Sequence, residues 1–269
     1  MQSKFIKFLL WLLALLVLAY VGVCAYLYVQ QRQMLFQPAD TKVRAEQTNF
    51  TLQRPDATLR GWQWHPADSS AEAPRNAVIY FGGNAESIEH RLHDLQHALP
   101  GSDIYMLAYR GYGASDGEPT QALLEADAVA LFDEVRRMHP LAKITVIGRS
   151  LGTGVAAAVA DVRKPEKLVL VTPFDSILNT VRGMYGWLPV SLLLHDRFDS
   201  AAHLQNYSGP LLVLRAGRDR EVVPARTDAL LADLKNKTVT VLAFEKANHS
   251  TIMHAPGFWN AVQRFVGNT

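Results

Sequence analysis

One cysteine in 269 residues, Cys24, excludes a disulfide within the chain and, with it, the cysteine-rich scaffolds and zinc frameworks. Clustered basic residues are missing too: the net charge is +2, and no run of lysine and arginine is long enough to grip a phosphate backbone, which argues against a nucleic-acid partner. The chain has no internal repeat and no low-complexity tract, which sets aside solenoids and linker-like proteins. Charge is absent altogether from one stretch, Phe8 to Val29, FLLWLLALLVLAYVGVCAYLYV.

At about 1.5 Å of rise per residue, that stretch is long enough as a helix to cross a hydrocarbon core of about 30 Å. It reads as a transmembrane anchor. A cleaved leader has an apolar core of about 7 to 15 residues, shorter than this run, although Val23-Cys24-Ala25 has the small-residue character of a processing site. A buried core helix would carry a polar stripe, and none interrupts the run. Lys4 and Lys7 precede it while Arg32, Lys42 and Arg44 follow, so the charge asymmetry is weak; the two lysines lie closest, which favours an inside N-terminus and a domain on the outer side. The chain therefore divides into an anchor over 1–30, a polar linker over 31–46 and one domain over 47–269.

Within that domain TNFTLQ and LRGWQWH alternate apolar with polar residues and read as an antiparallel strand pair. Then the pattern changes. Apolar runs AVIYFGG, DIYMLAYRGYG, KITVIG, KLVLVTP, PLLVLRAG and TVTVLAF alternate with helical stretches, the last from about Gly257 to Val266. Such alternation predicts an α/β fold, a mostly parallel sheet with helices on both faces and right-handed crossovers. Residues 174–208, with Pro189 and the apolar run VSLLL, break the rhythm and read as a small lid-like insertion.

In KITVIGRSLGTG a β-branched strand runs into Gly148-Arg149-Ser150-Leu151-Gly152, and the alanine-rich stretch behind it is a good helix former. A bare Gly-x-Ser-x-Gly arises by chance in roughly one chain in ten of this length. The strand before and helix after it give the motif its weight. The two glycines permit close packing of strand on helix, and Ser150 is driven outward to a helix N-terminus whose free amides suit a developing oxyanion. A serine hydroxyl needs a base, and the base needs an acid to fix its tautomer. Asp219 in LRAGRDREVVP and His249 in EKANHST supply both, in the chain order Ser, Asp, His that such a sheet-borne elbow uses. That set calls for no metal and no cofactor.

With these residues, and with YFGGNAESI, LAYRGYGASDGEPT, GRSLGTG, VTPFDSI, DREVVP and NHST, the chain from about Phe50 to Phe265 resembles the α/β-hydrolase superfamily. Within it the chain is similar to a membrane-anchored branch of ABHD-type depalmitoylases and their bacterial relatives. The resemblance implies Ser150 as nucleophile, His249 as base and Asp219 as acid. It also implies an oxyanion hole from the backbone amides of Asn84 and Leu151. Two departures stand out: Gly82-Gly83-Asn84-Ala85-Glu86 replaces the usual His-Gly-Asn-Ala-Gly, and Asp219 lies five residues before Pro224 where four is usual. Glu221 and Asp175 are therefore rival acids.

Other residues have blander readings. His90, His93 and His97 share one helix face at a spacing that could ligate a metal, but no carboxylate or cysteine cluster accompanies them, and a solvated face accounts for them. His254 is a rival base one turn deeper into the final helical segment. Arg149 suits an ion pair with an acid such as Glu118 or Asp175 better than an anionic-substrate contact. The turn Arg110-Gly111-Tyr112-Gly113 lacks a phosphate-loop pattern and reads as part of the pocket rim. The expected function is a membrane-anchored serine hydrolase acting on an ester or thioester of an acylated or lipid-like small molecule or protein. Peptide or amide hydrolysis by the same triad, and a non-catalytic tethered scaffold, are the alternatives.

Overall fold

The computed structural model describes residues 2–67, 76–234 and 238–267, and its strands form where apolar runs are bounded by turns. Helix α1 (Gln2–Leu35) comes first, with its apolar surface almost wholly exposed. Strands β1 (Phe50–Arg54) and β2 (Ala57–Trp64) then make an antiparallel hairpin, Leu52 opposite Leu59, with apolar residues inward and polar residues outward on β1. After them follow β3 (Asn76–Phe81), α2 (Glu89–Ala98), β4 (Ser102–Leu107), α3 (Gln121–Met138), β5 (Lys143–Arg149), α4 (Leu151–Arg163) and β6 (Lys167–Val171). Three short helices, α5 (Ile177–Met184), α6 (Val190–Leu193) and α7 (Ser200–Leu204), fill the stretch before β7 (Leu211–Ala216). The chain ends with α8 (Pro224–Asp233), β8 (Val239–Phe244) and α9 (Phe258–Gly267).

The eight strands form one sheet in the order β1-β2-β4-β3-β5-β6-β7-β8. Only the β1–β2 and β2–β4 pairs are antiparallel. Parallel strands covered on both faces need continuous apolar runs, and Ala77–Phe81 of β3 and Ile144–Gly148 of β5 are buried at every position. One layer is built by α3, α4 and α7; α2 and α9 meet in the other. Strand order reverses where the chain leaves β3 for β4 and returns to β5. The crevice beyond the carboxyl ends of β3 and β5 is the place where such sheets bind ligands.

This is the α/β-hydrolase fold. It differs from the sequence reading at the start of the domain, where 31–46 was expected as a polar linker. Residues 31–35 continue α1, and the segment behind it is stapled down. Phe36 is buried, Gly113 N donates to Thr41 Oγ1 at 3.1 Å, and Trp62 Nε1 donates to the carbonyl of Gln47 at 2.9 Å. No slack tether separates α1 from the sheet.

Candidate active site

At the end of β5 the backbone turns abruptly. Ser150 sits at φ 50°, ψ −119°, a conformation that costs a non-glycine residue on the order of 1 to 3 kcal/mol and persists only where its surroundings impose it. Its amide is pinned by a 2.9 Å hydrogen bond to the carbonyl of Val171 at the end of β6. A Cβ on Gly148 would stand 2.3 Å from the carbonyl oxygen of Gly152, and one on Gly152 would stand 2.2 Å from that of Phe81. Both glycines are thus required for α4 to begin directly against the ends of β3 and β5.

His249 comes from the loop between β8 and the 3-10 turn Ile252–His254. Asn248 shapes this loop, its Oδ1 accepting from the amides of Ser250 at 3.1 Å and Thr251 at 3.0 Å. The ring is buried, with Nε2 2.9 Å from Ser150 Oγ and Nδ1 2.8 Å from Asp219 Oδ2. Asp219, at the mouth of β7, is buried as well, and its Oδ1 accepts from the amides of Glu221 at 3.0 Å and Val222 at 2.9 Å. A carboxylate accepts only, so Nδ1 carries the ring proton and Nε2 presents its lone pair to the serine hydroxyl.

The rivals are placed differently. Glu221 Oε2 is 3.6 Å from Nε2, on the serine side of the ring, and the side chain is 67% exposed. Asp175 accepts from Asn179 Nδ2 at 2.6 Å and Arg226 Nη1 at 3.3 Å, and His254 is exposed. On α2, His90, His93 and His97 are exposed; the last two stack with ring centres 4.2 Å apart. In the turn after β4, Arg110 is buried between Asp56 and Asp127, its Nη1 and Nε donating at 2.8 and 2.7 Å.

The loop after β3 closes over the serine: a Cβ on Gly83 would come within 3.3 Å of Ser150 Cβ. Among the described residues, the backbone amides of Asn84 and Leu151 find no acceptor. In place of the missing histidine, Tyr109 donates its hydroxyl to the carbonyl of Gly82 at 2.8 Å. Tyr112 donates to Asn84 Oδ1 at 2.7 Å, and Asn84 Nδ2 donates to the carbonyl of Leu35, at the end of α1, at 2.6 Å.

Glu86 is the residue that sequence reasoning missed. Its Oε2 accepts from Gly83 N at 2.6 Å and from Arg149 Nη1 at 3.2 Å, while Oε1 accepts from Arg91 Nε at 2.8 Å and the Tyr80 hydroxyl at 3.0 Å. Burial alone would push this carboxyl up, but the Arg149 charge, the Gly83 amide and Arg91 together hold it below the usual range. Arg149 also donates to the carbonyl of His249 at 3.1 Å. The expected ion pair of Arg149 is therefore with Glu86, not with Glu118 or Asp175. The signal was present as a charged Glu86 where the resemblance has glycine.

A family model described as serine aminopeptidase, S33 matches residues 72–195. An uncharacterized protein of Mycobacterium tuberculosis is 29% identical over 268 residues, covering 95% of this chain and 94% of that protein. Lysophosphatidylserine lipase ABHD12 of Danio rerio is 28% identical over 203 residues, 66% of this chain and 52% of the relative, so the match spans about half of that protein's length. Among solved structures, an alpha-beta hydrolase from Vibrio vulnificus superposes with a TM-score of 0.64 at 21% identity, covering 81% of this chain and 80% of that one. At that identity the likeness is one of fold.

Proposed function

The chain is a hydrolase of the α/β-hydrolase superfamily, of the ABHD type, and from that premise we propose that it is a membrane-anchored serine hydrolase cleaving esters or thioesters of an acylated, lipid-like substrate through an acyl-enzyme. The observation that carries the reading is the hydrogen-bonded row Ser150 Oγ, His249 and Asp219, with its 2.9 and 2.8 Å contacts. In this mechanism Ser150 Oγ attacks the carbonyl carbon as its proton passes to His249 Nε2, and Asp219 steadies the imidazolium through Nδ1. The tetrahedral oxygen is held by the amides of Asn84 and Leu151. His249 gives its proton to the departing alcohol or thiol, then takes one from water. That water releases the acid and restores Ser150.

Lipid-like substrates are supported by α1, whose apolar run crosses a bilayer and keeps the site close to it. With Lys4 and Lys7 on the inner side, the domain lies outside. The lipase name of the zebrafish relative points the same way. A second reading, amide hydrolysis, is favoured by the aminopeptidase description of the family model.

Full-length protein in detergent, offered p-nitrophenyl esters, acyl thioesters and aminoacyl p-nitroanilides, tests the proposal. Ester and thioester turnover is expected, falling by about 10⁴-fold or more in Ser150→Ala. Faster turnover of the anilides would transfer the proposal to the amide reading, and no turnover of any of them would reduce the fold to a scaffold.

A further inference from the structure

Between the second half of α1 and the insertion over α5 and α6 lies a cavity of about 290 Å³. Leu27 and Leu35 line it from α1, and Ile177, Val181, Met184 and Leu188 from the insertion. The amide of Gln31, which also lines it, is already committed: Nε2 donates to the carbonyls of Tyr28 and Leu193, both at 2.9 Å, and Oε1 accepts from His195 N at 2.7 Å. That clamp ties the helix to the insertion and leaves the cavity a mostly apolar surface, with Tyr185 as its one aromatic lining residue.

One end of the cavity is tied to the loop that lies against the serine. Leu35 lines it and accepts from Asn84 Nδ2, and the neighbouring Gly83 abuts Ser150. The outer end adjoins the apolar part of α1. Tyr20 donates its hydroxyl to the carbonyl of Trp187 at 3.1 Å, and the two rings lie 6.2 Å apart. Tyr20 stands nine residues before Val29, about 14 Å up the helix from the end of the apolar run. The tip of the insertion, with Trp187 62% and Leu192 80% exposed, therefore shares the surroundings of the apolar helix. Exposed apolar area of that kind, beside a bilayer-spanning surface, is covered by lipid.

We propose that this cavity is the acyl-chain site for the reaction at Ser150, with the anchor helix itself as one wall, and that a single acyl chain passes into it sideways from the bilayer between α1 and the insertion. The volume lies at the lower end of small-molecule pockets, roughly 300 Å³, which suits one chain. The kinetic part of this inference rests on Ser150 acting as the nucleophile; the binding part does not.

The test uses full-length protein in phosphatidylcholine vesicles with p-nitrophenyl esters from acetyl to dodecanoyl, for the wild type, Leu27→Trp, Val181→Trp and Leu141→Trp. In the wild type kcat/KM should rise by roughly fourfold per methylene until the cavity is full. The dodecanoyl-to-acetyl ratio should fall by about tenfold or more in Leu27→Trp and Val181→Trp, which fill the cavity. Leu141, 80% exposed and not part of the cavity lining, should leave the ratio as it is. In parallel, a diazirine-bearing palmitic acid is crosslinked in the same vesicles and its adducts are mapped by mass spectrometry. Labelling of Ile177–Met184 is expected, and its loss in Leu27→Trp. Ester hydrolysis with wild-type ratios and wild-type α5 labelling in both cavity variants would overturn the inference while sparing the serine. Absent hydrolysis, with α5 labelling that Leu27→Trp removes, would sustain the acyl site and remove the serine mechanism.

Discussion

At Gly152 the space for a side chain is set by the carbonyl oxygen of Phe81, 2.2 Å from where a Cβ would stand, and by that of Gly82 at 2.6 Å. Both are backbone atoms, at the last residue of β3 and the residue after it, so Gly152→Ala should destabilise the protein by about 3 kcal/mol or more, read from a denaturant midpoint. An unchanged midpoint would mean that the elbow is loose enough to accept a methyl group. Glu86 carries a second prediction. Its carboxylate links the Gly83 amide to Arg149, and Arg149 holds the loop of His249, so Glu86→Gln should lower kcat by about tenfold or more while leaving KM within a factor of about two. Because its folded carboxyl is held below the unfolded value, Glu86 contributes stability above the ordinary carboxylate range and loses it as pH falls through the folded value. Acid unfolding of Glu86→Gln should accordingly show a flatter acid limb than the wild type. Ser150, Asp219 and His249 were legible as residues because a strand, a tight turn and chain order mark them locally. Glu86 and Tyr109 were not, because what they do depends on side chains that meet only in the folded loop.

Among the elements, the strands were the most legible, since each parallel strand needs an unbroken apolar run and the sequence spaces these runs with helices. The insertion was legible only as a break. Its helices are short and held by contacts: Ser176 caps α5 by accepting from Asn179 N at 3.0 Å, and Phe198 packs edge-on against Phe36 with ring centres 6.4 Å apart. The end of α1 depends on contacts in the same way. Gln31 and Arg32 read as linker residues, yet helix persists because the insertion receives them, Arg32 Nε lying 3.0 Å from Asp196 Oδ2. Where α7 meets α3 and α4, His203 stands between Glu125, 3.6 Å away, and Asp161, 3.0 Å away. The Glu125 contact above all, opposed by partial burial and helped by Asp161, lifts the ring's pKa to about 9. The raised value means that His203 contributes its stability in full below about 6.5 and loses it as pH rises through about 9. After allowance for solvent screening of a half-buried group, that contribution is about 1 to 2 kcal/mol. His203→Asn should therefore match the wild type near pH 9.5 and fall below it at pH 6, measured by chemical denaturation; parallel stability curves would contradict this.

In the molecule as a whole, an apolar helix meets a hydrolase fold without slack between them. The apolar helix follows from composition alone. Its seating on the insertion does not, because Tyr20, Gln31 and Arg32 meet partners more than 150 positions away. Full-length protein should remain with membranes through an alkaline carbonate wash, and a membrane-impermeant fluorophosphonate should label it in intact cells as well as in lysates. Labelling confined to lysates would place the domain on the inner side.

The most direct measurement of the central claim is the site and rate of fluorophosphonate attachment, followed by peptide mass spectrometry. One adduct is expected, on Ser150, forming about a hundredfold or more slowly in His249→Gln. An adduct elsewhere, or one forming on Ser150 at an unchanged rate without the imidazole, would contradict it.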